Sequence, residues 1–226
     1  MTAEAWISDN FIELFGAVTG ILYVILEVKQ NRWLWFVGIL TSAVYVWVFF
    51  KGKLYADMSL QGYYLVISFV GWYWWSRGSG LRAQGTGQEK ENRSWGEMEK
   101  DERERRRRGE GEKKELEVTR IKRKTAIILA TVFVILYAAI YLILSKLTDS
   151  PVPLWDSFIT SLSIVATWML ARKIYEHWYL WIIVNTVSAT LFISRGLYPT
   201  VILYTVYCIM SFAGLIAWKK TIKKVH

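Results

Sequence analysis

The sequence predicts an all-α membrane protein: seven transmembrane helices forming two parallel three-helix repeats joined by a connector helix. Three observations predict this. Hydrophobic residues make up 54% of the 226 residues, too apolar for an ordinary soluble domain that must keep a polar surface. They gather in seven runs of roughly 16 to 21 residues, about the length a helix needs to cross the hydrocarbon. Two stretches on either side of a polar centre repeat each other's aromatic and glycine positions.

The runs are Phe11 to Val28, Trp33 to Phe50, Met58 to Trp75, Thr125 to Leu144, Leu154 to Ala171, Trp178 to Ile193 and Tyr198 to Trp218. Ahead of the first run, Met1 to Asn10 holds Glu4 and Asp9 and no positive n-region, unlike a cleavable signal peptide, so this run is expected to stay as a helix. Most connections are short (Lys29 to Arg32, Lys51 to Asp57, Arg172 to His177, Ser194 to Leu197), so neighbouring helices run antiparallel in one bundle. The long connection, Ser76 to Lys124, is polar, carries Gly78, Gly80, Gly85 and Gly87, and includes the run Arg103, Glu104, Arg105, Arg106, Arg107 and Arg108. It reads as a solvated segment, with acids and bases at helical spacing from Glu97 to Lys124. Its arginine run either sets topology and spaces the repeats or touches anionic lipid. The expected divisions are 11–75 for the first repeat, 76–124 for the basic cytoplasmic linker, 125–146 for the connector, 154–218 for the second repeat and 219–226 for a cytoplasmic tail.

Lysine and arginine total 28 against 19 acids, a net charge of +9. The charge lies between apolar runs and in the central block, not on amphipathic faces, so it marks membrane orientation and not nucleic-acid binding. Lys29, Arg32, the central block, Arg172, Lys173 and the tail Lys219, Lys220, Lys223 and Lys224 share one side; Lys51, Lys53, Lys146 and Arg195 share the other. The positive-inside rule puts the N-terminus outside and the C-terminus in the cytoplasm. The single cysteine, Cys208, offers neither a disulfide framework nor metal-ligand spacing and reads as a small buried hydrophobe.

In the repeat, Trp35, Ser42 and Ala43 align with Trp181, Ser188 and Ala189 at one offset. Past a turn three residues longer in the first copy, Leu54, Tyr55, Leu60, Tyr64, Ser68, Phe69, Gly71 and Trp75 match Leu197, Tyr198, Leu203, Tyr207, Ser211, Phe212, Gly214 and Trp218. Three helices leave the chain on the wrong side of the membrane. The connector returns it, so that both copies share one orientation, with a substrate site expected between them near mid-membrane.

The stretches Glu27-Val-Lys-Gln-Asn-Arg-Trp33-Leu-Trp35, Tyr55-Ala-Asp57-Met-Ser-Leu-Gln61-Gly-Tyr-Tyr64, Gly71-Trp72-Tyr73 and Trp178-Tyr-Leu-Trp181-Ile-Ile-Val-Asn185 resemble the PnuC family of vitamin-precursor transporters. The resemblance covers nearly the whole chain except the central block. It implies a SWEET-like fold with a three, one, three helix plan in the bacterial cytoplasmic (inner) membrane. Nicotinamide riboside is the first candidate solute and thiamine the alternative, and a homo-oligomer, a trimer, is implied. Beyond the vitamin precursor and membrane lipid, no nucleic-acid partner and no cofactor are expected.

Helical spacing gathers the polar groups. Trp178, Trp181, Asn185 and Ser188 form one stripe; Asp57, Gln61, Tyr64 and Ser68 form another; Tyr204, Tyr207 and Ser211 a third; and Trp35, Ser42 and Tyr45 share a helix. Polar groups facing lipid are costly, so the stripes face the bundle interior. The candidate binding residues are Trp35, Ser42, Tyr45, Gln61, Tyr64, Trp178, Trp181, Asn185, Ser188, Tyr204 and Tyr207. Aromatic faces with neutral donors and acceptors, and no lysine or arginine at the helix centres, suit a neutral or cationic aromatic solute better than an anion. The competing role for such Ser and Asn is interhelical hydrogen bonding, and for Trp33, Trp72, Trp74, Trp75 and Trp218 an interfacial aromatic belt.

Glu27 and Asp57 lie near membrane boundaries, where acids are commonly hydrated or paired, and no proton coupling is read from them. An enzyme is not expected: His177 and His226 lie outside the helix centres, and H-E-x-x-H, G-x-S-x-G and an ATP-binding G-x-x-x-x-G-K-[ST] loop are all missing. Uptake by facilitated diffusion with alternating access, sustained by cytosolic phosphorylation of the solute, is the expected activity. A non-transporting receptor or assembly subunit is the competing one.

Overall fold

The computed structural model describes residues 11–51, 55–77, 116–148 and 150–224. Among them run seven helices: α1 (Phe11–Val28), α2 (Trp33–Lys51), α3 (Tyr55–Arg77), α4 (Arg123–Leu147), α5 (Pro153–Ala171), α6 (His177–Ser194) and α7 (Tyr198–Lys224). Every apolar run became a helix. Four of them, α2, α4, α5 and α7, are long and apolar enough to cross a membrane on length and composition alone. In α3 and α6 the apolar character is diluted by the polar stripes they carry.

Packing makes a closed ring of six helices. Going round it, α1 touches α2, α2 touches α3, α3 touches α5, α5 touches α6, α6 touches α7, and α7 returns to α1. Among the described residues α4 packs against α5 alone, and none of its side chains is buried. A helix apolar all round with no buried face is stable where lipid is its solvent.

Helix ends follow local rules. The α1 terminus is a Schellman cap, in which Gln30 N–H donates to the Glu27 carbonyl and Asn31 N–H to the Leu26 carbonyl. The end of α5 repeats it: Lys173 donates to Leu170 and Ile174 to Met169. Gln30 and Lys173 both stand at positive φ, 53° and 50°, a conformation that costs a residue with a Cβ about 1 kcal/mol or more. At the end of α6 the same turn falls to Gly196, φ 69°, which takes it without that cost.

The core lies at the end of the bundle where α1, α3, α5 and α7 finish. Trp35 meets Trp75 edge to face at 5.7 Å and 86°, Trp178 meets Trp218 at 5.8 Å and 83°, and Trp75 and Trp218 touch at 6.3 Å. Their donors cross the ring: Trp75 Nε1 donates to the Ala171 carbonyl at the end of α5, and Trp218 Nε1 to the Glu27 carbonyl near the end of α1. This corrects the belt assignment of Trp75 and Trp218, which are 5% and 0% exposed. Their position near helix ends is right, but they point inward, where an indole N–H can reach a carbonyl of a helix's last turn. Trp33 remains half exposed, with its ring edge on Trp72.

Glycine makes these contacts possible. A Cβ on Gly71 would lie 2.4 Å from the Trp35 ring, and one on Gly214 2.3 Å from the Trp178 ring. The packing therefore pairs Trp35 with Trp178, where the sequence alignment had matched Trp35 to Trp181. The separation between Trp35 and Trp178 is the one that also relates Gly71 to Gly214, Trp75 to Trp218 and Gln30 to Lys173, so the longer turn assumed in the first copy is not needed.

The segment ahead of α4 is extended, a departure from the helical spacing read over Glu97 to Lys124; the rest of that stretch and the arginine run lie outside the described residues. Thr119 bridges Ile174, its N–H donating to the Lys173 carbonyl and its carbonyl accepting from Tyr175 N–H. Glu176 receives the Ile121 N–H at 2.9 Å. Pairing with the α5–α6 turn satisfies backbone groups that a local helix would have satisfied internally.

Alanine at Gly71 or Gly214 is expected to destabilise the fold by about 1–3 kcal/mol through overpacking against the indole. Alanine at Gly62, where a Cβ meets nothing within 4 Å, is expected to be neutral or stabilising. Thermal unfolding of the purified variants in detergent checks this.

Candidate solute-binding site

Inside the ring of helices is a cavity of about 940 Å³, large enough for a nucleoside-sized molecule. Leu14, Leu197, Pro199 and Thr200 line one end of it, and Glu27, Thr167 and Trp178 line the other, where the tryptophan cluster closes the bundle.

Of the residues expected to bind solute, Ser42, Tyr45, Gln61, Tyr64, Trp178, Trp181, Asn185, Tyr204 and Tyr207 line this cavity. Trp35 and Ser188 do not. Trp35 is wholly buried on Gly71 behind Trp75, and Ser188 is 1% exposed with its hydroxyl unpartnered among the described residues. Sharing a helical stripe places residues on one face; it does not say which of them the next helix covers.

Reading the stripes missed α1. Thr19, Tyr23 and Glu27 step by four along it and face the cavity, and so do Gly16 and Gly20. That spacing was legible, but Glu27 was read only for its place near a membrane boundary and was not joined to Thr19 and Tyr23. The glycines admit two phenols: a Cβ at Gly16 would lie 2.0 Å from the Tyr45 hydroxyl, and one at Gly20 2.0 Å from the Tyr207 hydroxyl. Tyr45 reaches on to donate to the Ile12 carbonyl at 3.2 Å.

The polar groups fall into two kinds. Some are committed to the protein: Asn185 Nδ2 donates to Ser211 Oγ at 3.2 Å, Ser211 donates to the Tyr207 carbonyl at 2.8 Å, and Ser68 donates to the Tyr64 carbonyl at 2.7 Å. Others have no partner among the described residues: the indole N–H groups of Trp178 and Trp181 and the hydroxyl of Thr41, all buried. Unpaired buried donors cost about 1–3 kcal/mol each.

Charge is sparse. Among the described residues the lining holds no lysine or arginine and one acid, Glu27, which is 2% exposed. Its carboxylate lies 3.1 Å from Nε2 of His177, a residue with no exposed surface whose Nδ1 lies 2.7 Å from the Ile174 carbonyl. The His177 ring rests between Trp178 and Trp218, at 4.6 and 4.7 Å. The sequence had placed His177 outside the helix centres, which is correct, yet the helix end itself is buried.

Residues 10–220 match the family described as nicotinamide mononucleotide transporter. The chain belongs to that family. Its members are membrane transporters and not enzymes, so this is a multi-pass bacterial membrane protein, in agreement with the resemblance drawn from the motifs. The nicotinamide riboside transporter PnuC of Escherichia coli is 27% identical over 217 residues, covering 92% of this chain and 85% of that protein. The riboflavin/roseoflavin transporter RibM of Streptomyces davaonensis is 23% identical over 206 residues, covering 91% and 83%. A crystal structure of the vitamin B3 transporter PnuC shares the fold, with a TM-score of 0.65 at 22% identity over 97% of this chain and 85% of that one.

Proposed function

We propose that the chain takes up a vitamin precursor, nicotinamide riboside first, by facilitated diffusion with alternating access, and that cytosolic phosphorylation traps the solute. The observation that carries this is the charge of the cavity: aromatic walls and, among the described residues, one carboxylate and no lysine or arginine. A pyridinium nucleoside suits it, gaining roughly 0.5–2 kcal/mol for each cation–π contact. The mononucleotide of the family description adds a phosphate, which meets a carboxylate and no cation here. Thiamine, also an aromatic cation, is the second reading, and relatives named for the riboside favour the first.

In this reading the binding residues are Gln61, Tyr64, Trp178, Trp181, Asn185, Tyr204 and Tyr207, with Ser42 and Tyr45 at the wall. The N–H groups of Trp178 and Trp181 and the Thr41 hydroxyl are buried without a partner among the described residues, so it is the ring faces and not these donors that the reading uses. Asn185 and Gln61 differ in preparation: the Asn185 amide is held by Ser211, whereas Gln61 has no hydrogen-bond partner among the described residues. A held donor is oriented in advance, and a free one adjusts to the solute.

We also infer that all seven helices span the membrane, as two parallel repeats, α1–α3 and α5–α7, with α4 as connector and the N-terminus outside. Support comes from the matched Schellman caps, the matched Trp–Gly contacts, and the exchange by which the first helix of each unit packs on the third helix of the other. With that orientation, the cavity end at Leu14 and Pro199 faces outward and the tryptophan cluster is the closed cytoplasmic gate.

Three outcomes test the proposal. Titration calorimetry is expected to show nicotinamide riboside binding at least tenfold tighter than its 5′-phosphate, and liposome uptake of the labelled riboside is expected to follow; a binder that fails to transport is a receptor. Gln61→Leu and Asn185→Leu are each expected to weaken binding by about 1–3 kcal/mol by leaving a solute polar atom unpaired, and Trp181→Ala to weaken it by loss of a stacking face, with size-exclusion profiles unchanged. Cysteines introduced near the N-terminus are expected to react with an impermeant thiol reagent in intact cells, while those at Arg105 to Arg108 stay protected.

A further inference from the structure

We propose that Glu27 and His177 form a proton-releasing counter-charge: the pair shares one proton in the empty cavity and gives it up when a cationic solute docks against Glu27. The proposal rests on the reading that this cavity takes an aromatic cation.

The hydrogen bonds assign the proton count. A carbonyl oxygen can only accept, so His177 Nδ1, 2.7 Å from the Ile174 carbonyl, carries a hydrogen. Nε2 and the Glu27 carboxylate oxygen stand 3.1 Å apart, a distance at which two lone pairs would repel and a proton between them binds. That proton sits on nitrogen beside a carboxylate, or on oxygen beside a neutral ring. In either form the pair has no net charge. Removing the proton leaves a neutral imidazole, still anchored at Ile174, and a carboxylate on the cavity wall.

Among the described residues, Glu176, next to His177 in the chain, is engaged by the Ile121 N–H. From α1 itself Tyr23 faces Glu27, and Tyr63 and Tyr64 of α3 lie next to Tyr23; all three are phenols, which ordinarily titrate at about pH 10. The α5 residue at this end of the cavity is Thr167, and α7 presents Trp218, whose indole holds the Glu27 backbone carbonyl. The ammonium of the buried Lys173 lies 4.4 Å over Trp75, whose ring touches Trp218, which in turn packs on His177. Lys29 and Arg32 are exposed. A cation entering this enclosed space therefore meets a neutral pair. Expelling one proton as one positive solute arrives keeps the total charge of the cavity constant, which avoids leaving an uncompensated buried charge. The proton leaves by the cavity to the bulk buffer.

Linkage sets the sign. Raising the pH removes the shared proton in advance, so affinity for a cation rises with pH, by at most about tenfold per pH unit for one linked proton. An uncharged solute gains nothing from the exchange.

The test is titration calorimetry of the purified full chain with nicotinamide riboside between about pH 6 and 8, in phosphate and in Tris, whose ionisation heats differ. The expected results are a heat difference equivalent to as much as one proton released per solute and an affinity that rises with pH. The reduced, uncharged dihydro-riboside is expected to show neither. Glu27→Gln, if it folds, is expected to abolish both and to lose about tenfold or more in affinity for the riboside at the high-pH end. Binding with equal heats in both buffers and a flat pH profile overturns the proton release and leaves the cavity reading standing. No riboside binding at any pH overturns the cavity reading, and the proposal falls with it. Should Glu27→Gln not fold, the buffer comparison on the parent chain decides alone.

Discussion

Two indole rings lying flat against two glycines hold the rest of this molecule in place. Lipid tails are as apolar as leucine, so burial alone does not drive helices together in a bilayer; close van der Waals approach and internal hydrogen bonds must do it. Gly71 lets Trp35 approach α3, and Gly214 lets Trp178 approach α7. Trp75 and Trp218 then fill the space between, each donating across the ring to a carbonyl near the end of a helix, of α5 and of α1 respectively. The same contacts tie α1 to α7 and α3 to α5, which closes the ring.

That closure produces the cavity. Six helices held at one end by large rings and cleared along α1 by Gly16 and Gly20 leave a space whose walls are phenols and indoles. Its polarity is arranged economically. Asn185, Ser211 and Ser68 are tethered by internal hydrogen bonds, while the donors of Trp178, Trp181 and Thr41 are buried without a partner among the described residues. Walls of flat apolar surface with a few directional polar groups are the usual make-up of sites for small aromatic solutes.

The Glu27–His177 pair sits where cavity and cluster meet. Its imidazole packs on Trp178 and Trp218, and its carboxylate belongs to the wall. It joins α1 to the start of α6, so whatever changes its protonation also bears on the contact that shuts this end of the bundle. In a transporter, a solute that alters such a contact biases the balance between open and closed forms by its differential interaction with the two.

What the sequence by itself determined is the class, the seven helices and most of the wall. Run length against bilayer thickness settles helices with little ambiguity, because a backbone in hydrocarbon must satisfy its own hydrogen bonds. Spacings of three and four put Gln61, Tyr64, Trp181 and Asn185 on common faces, and those faces do line the cavity. Only the tertiary structure decided which rings are buried as packing and which are open to a solute. Trp35 and Trp178 occupy matching places against matching glycines, yet Trp178 reaches the cavity and Trp35 does not. Trp75 and Trp218 look like interfacial residues until the carbonyls they reach are seen. The Glu27–His177 pair was equally out of view, because its two members stand 150 residues apart and helical periodicity carries no information about which helices become neighbours.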